Sequence, residues 1–519
     1  MKNVVELNLG FSDAQNYSQR QNKEVFNSIF VRNRQLDSLL NPNVYFLVGE
    51  KGTGKTAYAT YLSNNNYKET KSIINYLSAT DYEKFVVLKQ KNNLDLSGYV
   101  EIWKAILLLL LAKTIKDKDR RILKTSKNTI DLLNDAIDEY YLNAFSPEII
   151  SVMRVMDESD IVAGLISKHL SAKGGVKEVK SFSESRFQHN LYYIVKSFSD
   201  AFSSLKLNRN VVLFIDGIDI RPDTITYSEY LDCIRGLADA AWNLNTNLFQ
   251  GVKDSTGRIR IVLLLRPDIF HSLNMQNETN KLLDNSVFLD WRTTYESYKS
   301  SDLYMVAKKI LMCDQADEGF DIFEYYFPWD GSISKSKRTA FMEFLRISLS
   351  RPRDILVIMQ LLKRMMEQKG MISATVFDKE LFYGDDFQNK YSEYFISSLK
   401  DQLSFYYSNE DFNHFLKLFD FFDRSDFTYE EFDSCYNQFI EYILDNADDI
   451  PEFIDEKRKL LQLLYDSNLI AAVEEEGKYF HFSYREKDGA RISPEVPVGE
   501  GITYRFHYGL YKKTKNGRY

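Results

Sequence analysis

The chain has 519 residues, length for roughly three or four domains at ~100–200 residues each, with ordinary globular shares of 44% hydrophobic and 27% charged residues. A net charge of −8 argues against a surface built as a whole for nucleic-acid phosphates, because sequence-independent affinity comes from Lys and Arg. The longest apolar run, Ile106–Ala112, is far short of the ~20 residues of a membrane span, and the three scattered cysteines form neither a disulfide framework nor a Cys-rich zinc site.

Met1-Lys2-Asn3-Val4 leads into mixed polar sequence without an apolar stretch, so no secretory signal is expected there. With Cys233, Cys313 and Cys435 isolated, a reducing cytoplasm is the expected compartment. The first informative segment is Val44-Tyr45-Phe46-Leu47-Val48, an apolar run after the turn residues Asn41-Pro42-Asn43, which predicts a buried strand. Gly49-Glu50-Lys51-Gly52-Thr53-Gly54-Lys55-Thr56 follows, and the pattern from Ala57 to Leu62 is helical. The match is to GxxxxGK[ST] in its strand–loop–helix context.

Chemistry accounts for that spacing. The three glycines let successive backbone N–H groups turn inward as an anion nest, and the helix adds its positive end. Lys55 then reaches the β- and γ-phosphates of a nucleoside triphosphate, and the Thr56 hydroxyl ligates Mg²⁺. The expected nucleotide-binding set is Gly49, Glu50, Lys51, Gly52, Thr53, Gly54, Lys55, Thr56 and Ala57.

Phe85–Leu88 predicts a strand and Val100–Ile115 a long helix carrying Trp103. Lys118 to Gly175 is periodic, charged and almost free of Pro, which predicts a helical insertion. Phe187–Leu205 predicts the helix that feeds Val211-Val212-Leu213-Phe214-Ile215-Asp216, an apolar strand ending in a carboxylate. Asp216 is the expected second metal residue, acting through water. The next position is Gly217 and the next acid Asp219, which is either the residue that orients the attacking water or a cap for the following element.

Arg258–Leu265 predicts another buried strand, ending at Arg266, a candidate reader of the γ-phosphate with a surface ion pair to Asp268 as the alternative. Val287–Trp291 predicts a further short strand. Strands of this kind alternating with helices imply a parallel sheet covered on both faces. Arg351-Pro352-Arg353-Asp354 opens an amphipathic helix, with Pro352 where a missing N–H costs nothing. From about Tyr391 the chain turns Phe- and Tyr-rich. Thr428-Tyr429-Glu430-Glu431 is a capping box. Asp420, Asp423 and Asp426 lack the glycine and loop spacing of a calcium-binding hand. Helix, strand, tight turn and strand from 455 to 484 make a winged-helix pattern whose tip, Glu474-Glu475-Glu476, would repel phosphates; Tyr504–Leu510 is either an edge strand or a closing element that packs on the domain.

With both nucleotide motifs, the Arg-ended strand, Arg351-Pro352-Arg353-Asp354 and the winged-helix pattern, the chain resembles P-loop ATPases of the STAND/AAA+ type. The Asp-Gly-hydrophobic-Asp order at Asp216–Asp219 resembles that of NACHT ATPases. The chain looks particularly like a bacterial group often associated with phage-defence loci. The resemblance implies ATP rather than GTP, a lid arginine on the nucleotide (Arg353 before Arg351), and a nucleotide-controlled switch. Its expected partners are further copies of itself or a separate effector or sensor protein, because the chain carries no repeat array and no nuclease, TIR, protease or deaminase motif.

The expected fold class is therefore α/β: a P-loop NTPase core with a parallel sheet and helices on both faces, a helical insertion, a helical lid and a C-terminal winged-helix-like domain. The expected segments are 1–116 for the N-terminal segment and first part of the core, 117–180 for the insertion and 181–300 for the second part of the core. The lid spans 301–390 and the C-terminal domain 391–519. The expected activity is ATP hydrolysis with Mg²⁺, slow or gated by a partner, with Lys55, Asp216, Asp219 and Arg266 as the catalytic set and Thr56 and Asp216 on the metal. A competing expectation is a nucleic-acid loader or remodeller, supported by the basic stretch Lys113–Lys127 and the tail Lys512, Lys513, Lys515 and Arg518. A third is a structural P-loop protein that binds ATP but scarcely turns it over.

Overall fold

The computed structural model describes residues 1–78, 82, 98–115, 184–316, 318–329, 338–446, 451–454, 456–474, 479–486 and 494–510. The expected strand at 85–88, the helical insertion, the tip residues 475–478 and both basic stretches beyond Ile115 lie outside them. The chain divides into two compact units. One comprises residues 1–34, 49–55 and 288–519; the other comprises 35–48 and 56–287.

The second unit is built on a sheet whose strands are β1 (Phe46–Val48), β2 (Lys71–Tyr76), β3 (Val211–Asp216), β4 (Ile259–Leu265) and β5 (Ser286–Phe288). Their order is β2-β3-β4-β1-β5, and the β2–β3, β3–β4 and β4–β1 pairs are parallel. Every residue of β1, β3 and β4 is buried. Such unbroken apolar runs belong to interior parallel strands, where both faces are covered. β4 pairs directly with β1, the strand that leads into the glycine-rich loop.

Among the charges buried in this unit is Arg260, the second residue of β4, which donates to the carbonyls of Leu39, Asn41 and Val44 and so ties down the turn that enters β1. Burial pulls its pKa down to about 10, and three carbonyls replace its lost water. The apolar run 106–112 belongs to the helix Tyr99–Thr114, which is buried along that whole stretch. Trp103 donates to the carbonyl of Cys233, 3.0 Å away, and Gly236 admits Tyr99 so closely that a Cβ would lie 2.3 Å from it. Among the described residues no helix is long and apolar enough to cross a membrane.

The other unit gathers the N-terminal 34 residues with the C-terminal half, rather than with the sheet as the 1–116 segment supposed. The reason is a set of long-range hydrogen bonds. Lys363 and Gln360 of the helix Pro352–Gln368 donate to the carbonyls of Leu7 and Gly10, each at 2.8 Å, and Val4 donates to Ala374. The abundant aromatics form the core: Phe327 stacks on Phe377 at 4.3 Å, and Phe323 meets Phe341 and Phe344 edge-on.

Near the C-terminus lies an antiparallel sheet of β6 (Asp426–Thr428), β7 (Ile470–Glu474), β8 (Tyr479–Phe482) and β9 (Thr503–Phe506). Its order, β6-β9-β7-β8, places β9 in the interior and not at an edge, one of the two placements expected for it. Tyr504 and Phe506 explain this: both are buried, and Phe506 packs against Phe422 and Phe427. β6, read from sequence only as a capping box, completes the sheet, and Thr428 and Glu431 still cap the following helix. His507, just after β9, stacks on Phe395 at 4.9 Å, and its Nδ1 accepts the Gly509 N–H. Burial pulls its pKa down to about 3, so the ring is neutral.

Candidate nucleotide site

The loop 49–55 is shaped by its glycines. Gly52 and Gly54 have φ of +85° and +95°, where a side chain strains the backbone. At Gly49 a Cβ would come within 2.5 Å of the Thr53 hydroxyl, which itself donates to the Glu50 carbonyl at 2.7 Å. The Lys55 ammonium folds back over the loop and donates to the carbonyls of Gly49 and Glu50, at 2.7 and 3.2 Å.

Three successive carbonyls at the crown of this loop have donors from elsewhere in the same unit. Arg351 donates to Lys51 at 2.9 Å, the backbone N–H of Arg353 to Gly52 at 3.4 Å, and the Trp291 indole to Thr53 at 2.8 Å. In a trans peptide the N–H points opposite to the carbonyl. Holding the carbonyls of 51–53 therefore turns the N–H groups of Gly52 and Gly54 the other way, as an anion nest requires, while the Thr53 N–H donates to the Glu50 carbonyl at 3.2 Å. The Lys51 side chain is held as well, by Asp401 at 3.0 Å.

Arg351 is the organising side chain. It is buried, and its Nε and Nη2 form a fork with Asp354, both bonds 2.9 Å. Asp354 is wholly buried and also accepts from the Tyr394 hydroxyl at 2.8 Å and the Leu349 N–H at 3.0 Å. Burial opposes the charge on Arg351, but Asp354 outweighs it and holds the guanidinium above its ordinary pKa. Of the two lid arginines, Arg353 was preferred from sequence. The structure brings the side chain of Arg351 and the backbone of Arg353 onto the loop.

Asp216 belongs to the unit of residues 35–48 and 56–287. Asp216 ends β3 with 8% exposure. Its Oδ2 accepts from the Thr56 hydroxyl at 2.6 Å, and its Oδ1 from the Gly217 N–H at 2.9 Å. Gly217 has φ +85°, and a Cβ there would lie 2.1 Å from the Leu77 carbonyl oxygen. No side chain fits at the position directly after Asp216, so an acid there is sterically impossible and Asp219 is the nearest one available.

Asp219 lies partly exposed on the turn after β3. That turn is fixed by the Tyr230 hydroxyl, which meets the carbonyls of Ile218 and Ile220 at 3.1 and 2.9 Å. The next helix, Tyr227–Asn243, is capped by Thr226, so Asp219 does not cap it. Arg266 follows β4 as the N-cap residue of the short helix Pro267–Ser272, fully buried and forked onto Asp268. Its side chain thus takes the ion pair read as the alternative. Ala57 sits in the first turn of the helix Lys55–Asn64.

Sequence reading missed Asp354, Tyr394, Trp291 and Asp401. Asp354 stands three residues after Arg351 at a helix start, a spacing that brings side chains together and offered a signal. Trp291, Tyr394 and Asp401 reach the loop or its partners only through tertiary structure.

No protein-family model, curated protein or solved structure matches the chain.

Two substitutions test this geometry. Asp354→Asn leaves Arg351 charged and buried without its counterion, and chemical denaturation should report a loss of about 3 kcal/mol. An unchanged midpoint would remove the pair from its structural role. Gly217→Ala should cost roughly 2 kcal/mol or more from backbone strain and the clash with Leu77, and a variant melting with the wild type would contradict the geometry of that turn.

Proposed function

We propose that this chain binds ATP with Mg²⁺ on the loop 49–56 and works as a slow, partner-gated ATPase switch. The observation that carries the reading is the Thr56–Asp216 hydrogen bond at 2.6 Å. The two residues are 160 positions apart in the chain, yet they meet as the hydroxyl–carboxylate pair that a P-loop site places on its metal. Two protein oxygens suit Mg²⁺, which keeps several of its waters. Thr56 and Asp216 would hold the ion, which would neutralise phosphate charge when bound.

In this reading the ammonium of Lys55 exchanges the carbonyls of Gly49 and Glu50 for the phosphates, and Asp219 orients the attacking water. Arg351 and Arg353 connect the loop to the helix Pro352–Gln368, so a change in the loop's carbonyl contacts reaches that helix directly. Arg266 reads the γ-phosphate only by leaving Asp268, which makes it a residue that moves on nucleotide binding. The output is a protein partner, either further copies of the chain or a separately encoded effector of the kind found in bacterial defence systems. The cytoplasm is the compartment proposed for it. The C-terminal helix and antiparallel sheet would act as a winged-helix-like element in that contact.

ATP turnover by the purified chain, alone and with DNA or RNA, tests this. Slow turnover indifferent to nucleic acid is expected, abolished by Lys55→Ala and lowered at least tenfold by Asp219→Asn, as for loss of a water-orienting group. Turnover surviving Lys55→Ala sinks the assignment. Strong stimulation by nucleic acid replaces the partner-gated switch with a loader or remodeller.

A further inference from the structure

Within the unit that holds residues 49–55 and 288–519 there is an open cleft of about 440 Å³. Its walls are the segment Arg292–Glu296 after β5, Ser350 just before the helix Pro352–Gln368, and Tyr484 and Arg485 in the helical turn after β8. The size falls in the range of small-molecule sites, roughly 300–1,000 Å³.

The lining is rich in donors. Arg292 is committed: its Nε and Nη2 hold Asp290, and its Nη1 donates to the Arg485 carbonyl at 2.9 Å. Arg485 is different. Its Nε donates to the Tyr484 hydroxyl at 3.0 Å, but among the described residues no carboxylate pairs with it. Arg485 is exposed and shares the cleft lining with the hydroxyl side chains Thr293, Thr294 and Ser350. The one acid in the lining, Glu296, is exposed.

Ser350 adds a second observation. Its φ is +53°, a left-handed conformation that costs a residue other than glycine about 1–3 kcal/mol. Such strain at a site wall is maintained by its surroundings, and here the Ser350 N–H donates to the Ser348 hydroxyl at 3.3 Å. The residue after it is Arg351, which holds the Lys51 carbonyl.

We propose that this cleft binds a small phosphorylated ligand of mononucleotide size, separate from the nucleotide on the loop, with Arg485 receiving the phosphate. A guanidinium is suited to a phosphate because its planar N–H groups match two oxygens at once. The hydroxyls of Thr293, Thr294 and Ser350 supply further donors, and the rings of Tyr295 and Tyr484 offer faces to a planar or sugar-bearing body. The ligand would meet Ser350 and, through Arg351, bias the loop. That regulatory consequence rests on the proposed ATP switch; the binding itself does not.

The full chain carrying Lys55→Ala, titrated calorimetrically with AMP, inorganic phosphate and adenosine, tests this. Saturable AMP binding is expected, with adenosine failing to bind. Arg485→Gln in the same background should weaken AMP roughly tenfold to hundredfold, as loss of a charged hydrogen bond does. Thr294→Val is a milder second variant, expected to weaken it several-fold should Arg485→Gln not fold. Inorganic phosphate binding as tightly as AMP also supports the site and names free phosphate as its ligand. Absence of AMP and phosphate binding in the Lys55→Ala chain, equal binding of adenosine, or binding indifferent to Arg485→Gln and Thr294→Val overturns the proposal. Loss of ATP binding in Lys55→Ala is read separately and bears only on the loop.

Discussion

The fork between Arg351 and Asp354 is the interaction on which the loop's geometry turns. Both groups are buried, and a buried ion pair is weak evidence for stability as such, because desolvation opposes the attraction. Its value here is directional. Two of the guanidinium's nitrogens are spent on Asp354, and the third is left pointing at the Lys51 carbonyl. Asp354 cannot swing away, because Tyr394 and the Leu349 N–H hold it too. The start of the helix Pro352–Gln368 is therefore fastened to the crown of the loop, with Trp291 fastening the next turn of backbone. A ligand that reorganised those peptides would be felt at the helix without any intermediary.

A comparable economy governs the carboxylate end. β3 delivers Asp216 to the sheet's end because its five preceding residues are apolar and buried. Gly217 then turns the chain so tightly against Leu77 that its own N–H caps the carboxylate. The same tightness excludes an acid at that position. The Asp-Gly-hydrophobic-Asp order is thus a steric consequence of how the strand ends, and it displaces the nearest acid onto a turn held by Tyr230.

Much of this was legible in the chain itself. Apolar runs without periodicity marked β1, β3 and β4, and Pro352 marked the helix start within a residue. Gly49–Thr56 and Asp216 stood out because so few residue types satisfy those backbone constraints and the ones the proposed Mg²⁺ would impose. The interior placement of β9, the docking of residues 1–34 on the helix Pro352–Gln368, and Trp291 on Thr53 were not legible. Each depends on contacts between segments tens to hundreds of residues apart, for which local pattern carries no information. Arg351 and Arg353 illustrate the boundary: the motif identified both, and only packing decided which side chain reached the loop.

The central proposal is that Thr56 and Asp216 hold the Mg²⁺ of a bound nucleotide. Calorimetric titration of ATP with and without Mg²⁺, on the wild type and on Thr56→Val, addresses it most directly. The account predicts that Mg²⁺ tightens ATP binding to the wild type and that the tightening disappears in Thr56→Val, which keeps the side-chain shape but has no hydroxyl to offer the ion. An unchanged Mg²⁺ dependence in that variant would contradict it.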